Sequence, residues 1–133
     1  MSVRQGERGQ GKLEVLDSAR RLVEYTMTVC DNTDVIPKKH RWTIGNRLVD
    51  ECLGALTDIR KANAVRLEAQ YANRRRNYQI SALEHLEAMY ALVDTAFNMF
   101  KFAANRLEHW TRLVSDTEIK IRAWVKSDKA RLG

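Results

Sequence analysis

The 133-residue sequence is poor in the residues that interrupt regular structure. It contains a single proline, Pro37, and six glycines, three of which fall within residues 1–11. A sandwich or barrel of many short strands needs turn residues every roughly 8–12 positions. Residues 12–132 contain hardly any such residues. The scarcity of proline and glycine therefore indicates a helical protein.

Long apolar runs and paired cysteines are also missing. No uninterrupted apolar stretch approaches the roughly 18–20 residues that span a bilayer, and the first residues lack the apolar segment of a secretory signal. Two cysteines, Cys30 and Cys52, are too few for a disulfide framework and lack the paired spacing of zinc sites. We therefore expect a cytoplasmic protein with no membrane association and two buried free thiols.

Apolar residues recur at helical spacing in four stretches, residues 13–30, 44–62, 80–100 and 107–124. Four helices of this length with short connections predict an all-α fold, an up-down-up-down four-helix bundle. Residues 1–11 are rich in glycine, glutamine and charge, and predict a flexible N-terminal tail. Residues 12–133 are then predicted to form the four-helix bundle domain.

Single residues predict where the helices begin and end. Pro37 suits the first turn of the second helix, where its missing N–H is not needed. The end of that helix lies somewhere between residues 63 and 73. Asn73 or Asn77 is predicted to cap the third helix, and Asn105 with Glu108 forms a capping box for the fourth. The same pattern recurs at Ser115, so a break in the fourth helix at that point stays open.

The sequence shows no motif for catalysis, a metal or a cofactor. Residues 6–12 match the first part of a phosphate-binding loop, but Leu13 stands where that loop needs Ser or Thr. None of the three histidines (His40, His85 and His109) has an acidic residue three positions earlier, as a di-iron bundle requires. No Gly-x-Ser-x-Gly nucleophile motif occurs. We therefore expect no enzymatic activity, no metal and no cofactor.

The net charge of +6 is unevenly distributed. Residues 34–76 contain ten basic and five acidic side chains, whereas the segments before and after this block are nearly neutral. Arginine suits phosphate because its planar fork forms paired hydrogen bonds, and Trp42 and Tyr71 lie where they would stack on bases. The candidate residues for binding a nucleic acid or another acidic partner are Lys38, Lys39, Arg41, Arg47, Arg60, Lys61, Arg66, Arg74, Arg75 and Arg76. A merely solvated basic face is the alternative, and the charge pattern leaves both open.

Residues 36–48, with the sequence IPKKHRWTIGNRL, resemble the opening of the second helix in a family of four-helix bundles. The family includes Avd, the accessory variability determinant of diversity-generating retroelements, and proteins encoded in intervening sequences of bacterial 23S ribosomal RNA genes. The matching positions are Pro37, Arg41, Ile44, Gly45, Arg47 and Leu48. The resemblance continues through residues 53–62 and 82–86 to Trp124, but residues 118–123 lack the glycine-rich turn common in Avd. Both branches of the family therefore stay open.

The resemblance implies a non-catalytic subunit that binds a reverse transcriptase and its RNA or cDNA as a homopentamer with a basic surface. The other branch implies a structural or protein-interaction bundle without a reverse transcriptase partner. Gly45 has a physical interpretation, since a missing Cβ lets another backbone approach closely. Apolar residues outside the main stripes give independent support for a homo-oligomer, and these are Val15, Val29, Val49, Val65, Ile119 and Val125.

Overall fold

The computed structural model describes residues 5–132, with side chains from residue 14 onward. Four α-helices account for most of this range: α1 (Gln5–Cys30), α2 (Asn46–Ala64), α3 (Ala72–Phe100) and α4 (Ala104–Leu132). No strand occurs among the described residues. The predicted all-α four-helix bundle is confirmed. Within the predicted tail, residues 1–4 lie outside the described residues, the backbone of residues 5–11 belongs to α1, and flexibility there stays a prediction.

The four helices form a ring in which α1 and α3 each pack against both α2 and α4. Side-chain contacts show that neighbours run antiparallel. Arg75 near the start of α3 bonds to Asp128 near the end of α4, and Trp110 near the start of α4 bonds to Thr26 near the end of α1. One end of the bundle therefore carries the end of α2, the start of α3 and the end of α4.

The interior is built from the predicted apolar stripes. Its largest fully buried side chains include Trp110, Leu22, Ile36, Leu48, Ile59, Leu86, Met89 and Ile121. The stripe on α4 keeps one register from Trp110 through Val114, Thr117 and Ile121, and all four are fully buried. A helix break near Ser115 would remove half of this stripe from the core. Accordingly, α4 is continuous from Ala104 to Leu132.

The segment before α2 is more irregular than a simple helix start. Pro37 precedes a 3₁₀ turn (Lys38–His40) and a π-helical turn (Arg41–Gly45), and regular α-helix begins only at Asn46. The ring of His40 lies 5.0 Å from that of Phe100 at the end of α3. These two turns therefore close the end of the bundle opposite the start of α3.

The predicted side-chain caps are wrong in register. The third helix begins at Ala72, so Asn73 and Asn77 lie inside it, and Tyr71 at the N-cap forms no side-chain cap bond. At the fourth helix the carbonyl of Ala103 accepts the N–H groups of Arg106 and Leu107, which places Asn105 within the first turn. Packing of the buried stripes decides these boundaries, since a cap contributes only about 1 kcal/mol.

Candidate nucleic-acid interface

The predicted basic residues divide between two ends of the bundle. Lys38, Lys39 and Arg41 lie on the turns before α2, and Arg47 lies in its first turn. The remaining candidates follow from Arg60 onward, thirteen positions later, which is about 20 Å along a helix. The ten candidates therefore do not form one continuous surface. Residues that share one block of sequence are held apart by the length of α2.

Arg75 was also predicted to bind a partner, and this prediction is wrong because the residue lies in the core. Its side chain is 3% exposed, and its Nε and Nη2 donate to the two carboxylate oxygens of Asp128 at 2.7 and 3.2 Å. A third nitrogen, Nη1, donates to the carbonyl of Val65 at 2.8 Å. The guanidinium also lies 5.2 Å from the ring of Trp124. Arg75 thus ties the segment after α2 to α4 and cannot reach an external phosphate.

The end of α4 contributes basic residues that the sequence-based set omitted. Residues 60–76 and 122–132 meet at the same end and carry ten basic and two acidic side chains, a net charge of +8 in a chain total of +6. The rest of the chain therefore sums to −2. We call this end the basic end. Its exposed or half-buried cations are Arg60, Lys61, Arg66, Arg74, Arg76, Arg122, Lys126, Lys129 and Arg131.

The basic end has two sides, separated by α3. Arg74 and Arg76 are two residues apart and so point roughly 200° away from each other around the helix. The α2 side holds Arg74 with Arg60 and Lys61, and the Nζ of Lys61 lies 5.9 Å from the ring centre of Tyr78. Tyr71, 38% exposed, precedes α3 at this end. The basic end thus offers exposed cations on its α2 side and an exposed aromatic ring before α3, the two kinds of group that contact phosphates and bases.

Three of the residues that carry the family resemblance, Pro37, Gly45 and Trp124, lie in structural positions. Pro37 stands before the first turn of the irregular segment, Gly45 is buried at its end, and Trp124 is 8% exposed in the core. A Cβ on Gly45 would meet its nearest neighbours at 3.8 Å, an ordinary contact. The interpretation of Gly45 as a site of close approach is therefore wrong. The close approach is at Gly54, where a Cβ would lie 2.7 Å from the ring of His85.

His85 links α3 to α2 through two carboxylates that sequence reasoning missed. Its Nδ1 lies 2.8 Å from Oε2 of Glu51, and its Nε2 lies 3.4 Å from Oδ2 of Asp58. Glu51, Gly54 and Asp58 are spaced by three and four residues, so they share one face of α2. That spacing could have predicted the contact, because a glycine between two acidic residues on one helix face leaves space for a side chain from a neighbouring helix.

The two cysteines are buried and lack the electropositive surroundings of a nucleophile. Burial raises the pKa of the Cys30 thiol to about 12. The pKa of Cys52 rises to about 11 for the same reason, and its thiol lies 3.2 Å from the carbonyl of Val49. Thiols in this state stay protonated at neutral pH and do not attack substrates. Among the described residues, no group of three His, Cys, Asp or Glu side chains is placed to hold a metal ion.

No protein-family model, curated protein or solved structure matches this chain. The interpretation of the site is therefore based on this chain's own residues alone. None of the described helices combines the length and apolar character that crossing a membrane needs.

Exposed apolar side chains cluster at the end of the bundle opposite the basic end. Trp42 is 79% exposed on the π-helical turn, Met99 is 60% exposed near the end of α3, and Met27 is 48% exposed near the end of α1. By contrast, Val15 and Val29, which were expected at a subunit contact, belong to the core. Of that set only Ile119 is largely exposed, at 62%.

Proposed function

We propose that this chain is a non-catalytic accessory protein that binds RNA or cDNA through the α2 side of its basic end. The observation that carries the proposal is the concentration of charge at the basic end as a whole, a net +8 on two segments in a chain whose remainder sums to −2, with Arg60, Lys61 and Arg74 on its α2 side. Contacts to phosphates release condensed counterions, and this provides affinity with little sequence readout. Tyr71, 38% exposed beside these cations, offers a ring on which a base can stack.

The resemblance of residues 36–48 to the Avd family supplies the rest of the proposal. On this basis we propose that the chain is cytoplasmic and acts as the homo-oligomeric partner of a reverse transcriptase in a diversity-generating retroelement. The neighbourhood of its gene tests this part directly. An adjacent reverse transcriptase gene with a template repeat and a variable repeat supports it. A gene inside a ribosomal RNA operon contradicts it and favours the interaction-bundle branch.

The nucleic-acid part is tested by fluorescence anisotropy with a labelled single-stranded RNA between 50 and 200 mM salt. We expect log K to fall linearly with log salt, by roughly 0.7 for each phosphate contact. The triple variant Arg60→Ala, Lys61→Ala and Arg74→Ala removes the three exposed cations of the α2 side. It should weaken binding and reduce the salt slope by about 2.

The matched control removes three exposed cations from the other end through Lys38→Ala, Lys39→Ala and Arg47→Ala. Both triple variants have the same net charge, so only the position of the lost charge differs. The control should keep the salt slope of the original protein. Equal losses in the two variants would show that general charge, and not the basic end, attracts RNA. An affinity independent of salt would contradict the electrostatic mechanism altogether.

A second candidate function is a protein-interaction bundle without a nucleic-acid role. The exposure of Trp42, together with Met99 and Met27 at the same end, favours it, because large exposed apolar side chains mark contact surfaces. Sedimentation velocity at micromolar concentration tests self-association through this end. Trp42→Ser should then shift the protein toward the monomer, whereas Ile119→Ser, on the exposed face of α4, should not. A monomer before substitution rules out the homo-oligomer.

A further inference from the structure

A groove lies between α3 and α4 on the side of the basic end that faces away from α2. It encloses about 320 Å³ and is lined by Ile80, Leu83, Val125 and four cations, Arg76, Arg122, Lys126 and Lys129. The three apolar residues form the floor and come from both helices, and the cations do too, with Arg76 on α3 and the other three on α4. Ile80 is 45% exposed there, so its side chain is accessible to a partner.

We propose that this groove binds an amphipathic helix with acidic edges, supplied by a protein partner. Apolar side chains of that helix would enter the floor, and its carboxylates would meet the cations on either edge. This surface is distinct from the α2 side assigned to nucleic acid, and the inference does not depend on that assignment.

The size of the groove fits such an occupant. A water molecule takes about 30 Å³ in the liquid, so the groove has room for roughly ten heavy atoms, about two leucine side chains. Ile80 and Leu83 are three residues apart, or about 4.5 Å along α3. Side chains at positions i and i+3 or i+4 of an incoming helix have a similar spacing. Laying such a helix along two antiparallel helices is a common mode of peptide recognition.

The positive charge around the groove favours a partner helix with acidic edges. Arg122 is paired with Glu118 at 3.0 Å. Over the part of the chain whose side chains are described, Arg76, Lys126 and Lys129 form no salt bridge. Within those residues, three cations without a salt bridge thus line the groove beside its apolar floor. Such an arrangement attracts carboxylates from a partner and repels a basic segment.

Nucleic acid fits this groove less well than a peptide helix. The lining contains no aromatic side chain, whereas base recognition by single-strand binders relies on aromatic stacking. The floor is made of three branched aliphatic side chains, which a phosphate backbone cannot dehydrate favourably. The preferred contact for Ile80 is another aliphatic side chain.

The experiment selects a displayed library of random helical peptides on the full chain, with counter-selection on the Ile80→Asp variant. We expect enriched peptides to carry Leu, Ile or Phe at i and i+3 or i+4, flanked by Asp or Glu. The best peptide, labelled with a fluorophore, is then titrated by anisotropy. Ile80→Ser should weaken its binding at least tenfold, and so should Lys126→Glu combined with Lys129→Glu.

Ile119→Ser serves as the matched control, since Ile119 is a similarly exposed isoleucine outside the groove, and it should leave peptide binding unchanged. RNA binding should not respond to Ile80→Ser, which separates this proposal from the nucleic-acid one. Four outcomes would overturn the proposal. These outcomes are a library without an acidic amphipathic consensus, weaker RNA binding in Ile80→Ser, loss of self-association in Ile80→Ser, and competition between anionic vesicles and the peptide.

Discussion

The guanidinium of Arg75 is held by the carboxylate of Asp128 in a two-point ion pair, with the shorter bond at 2.7 Å and both side chains more than nine-tenths buried. Gln79 donates a further bond to the same carboxylate at 3.0 Å. The pair joins the start of α3 to the end of α4. Removing one partner would leave a buried charge without compensation, which costs far more than the loss of an exposed ion pair.

Arg75→Ala should therefore lower the free energy of unfolding by about 3–5 kcal/mol. The neighbouring substitution Arg74→Ala removes an exposed side chain and should change stability by less than about 0.5 kcal/mol. Urea denaturation followed by circular dichroism measures both. The two variants have the same net charge, so a similar midpoint for both would show that the buried pair contributes no stability.

The contact between Gly54 and His85 leads to a second prediction. A Cβ at Gly54 would lie 2.7 Å from Cε1 and Nε2 of the ring, and the ring is confined between Glu51 and Asp58. Gly54→Ala should therefore destabilise the protein by about 1–3 kcal/mol through overpacking. At Gly45 a Cβ would make only ordinary contacts, the nearest at 3.8 Å, so Gly45→Ala should increase stability by up to about 1 kcal/mol through helix propensity.

A double-mutant cycle identifies the clash as the cause. In a His85→Ala background the ring is absent, and Gly54→Ala should then be neutral or stabilising, as at Gly45. Urea denaturation of the four proteins in the cycle gives the coupling free energy. If Gly54→Ala is equally destabilising with and without the ring, strain at another contact is responsible.

Sequence periodicity predicted the fold because burial of one apolar stripe per helix dominates the energetics of a bundle. It failed at the helix starts, where the competing contributions are small. The cap predicted at Asn105 is displaced because the Trp110 stripe fixes where α4 can begin. The irregular turns before α2 carry no periodic signal, and only Pro37 marked them.

The candidate site could be predicted only in part, because a linear count of charge ignores direction. Three consecutive arginines span about 200° of a helix, so Arg74, Arg75 and Arg76 cannot all point in the same direction. Arg75 is the one in line with the buried Gln79 and Ala82, at offsets of four and seven. The cations at the end of α4 were not predicted as site residues, because acidic residues in the same segment, 77–133, nearly cancel their charge in the net total.

The buried thiols predict how stability depends on pH. Burial raises the pKa of Cys30 to about 12 and that of Cys52 to about 11, from an ordinary thiol value of 9.0. Above pH 9 the unfolded chain releases these protons while the folded chain keeps them, so stability must fall as pH rises. Each thiol should contribute a loss of about 1 kcal/mol per pH unit at first. Urea midpoints at pH 8, 9 and 10 measure the loss.

The control for this prediction is the double variant Cys30→Ala and Cys52→Ala. Its stability will be lower at neutral pH because two buried side chains become smaller, but its decline between pH 9 and 10 should be shallower. Lysines titrate in the same range in both proteins, so the difference between the two slopes isolates the thiols. Parallel slopes would mean that the thiols ionise equally readily in the folded and unfolded chains.

The hydrogen bond between Trp110 and Thr26 yields the last prediction. Both side chains are fully buried, and the indole Nε1 donates to the threonine Oγ1 at 2.9 Å. Thr26→Val keeps the shape but removes the acceptor, which leaves the indole N–H unsatisfied at a cost of about 1–3 kcal/mol. Thr26→Ser keeps the hydroxyl and should cost less than the valine variant, although it loses a methyl group. Tryptophan fluorescence during urea denaturation measures both, and a valine variant as stable as the serine variant would show that packing, not the hydrogen bond, decides this contact.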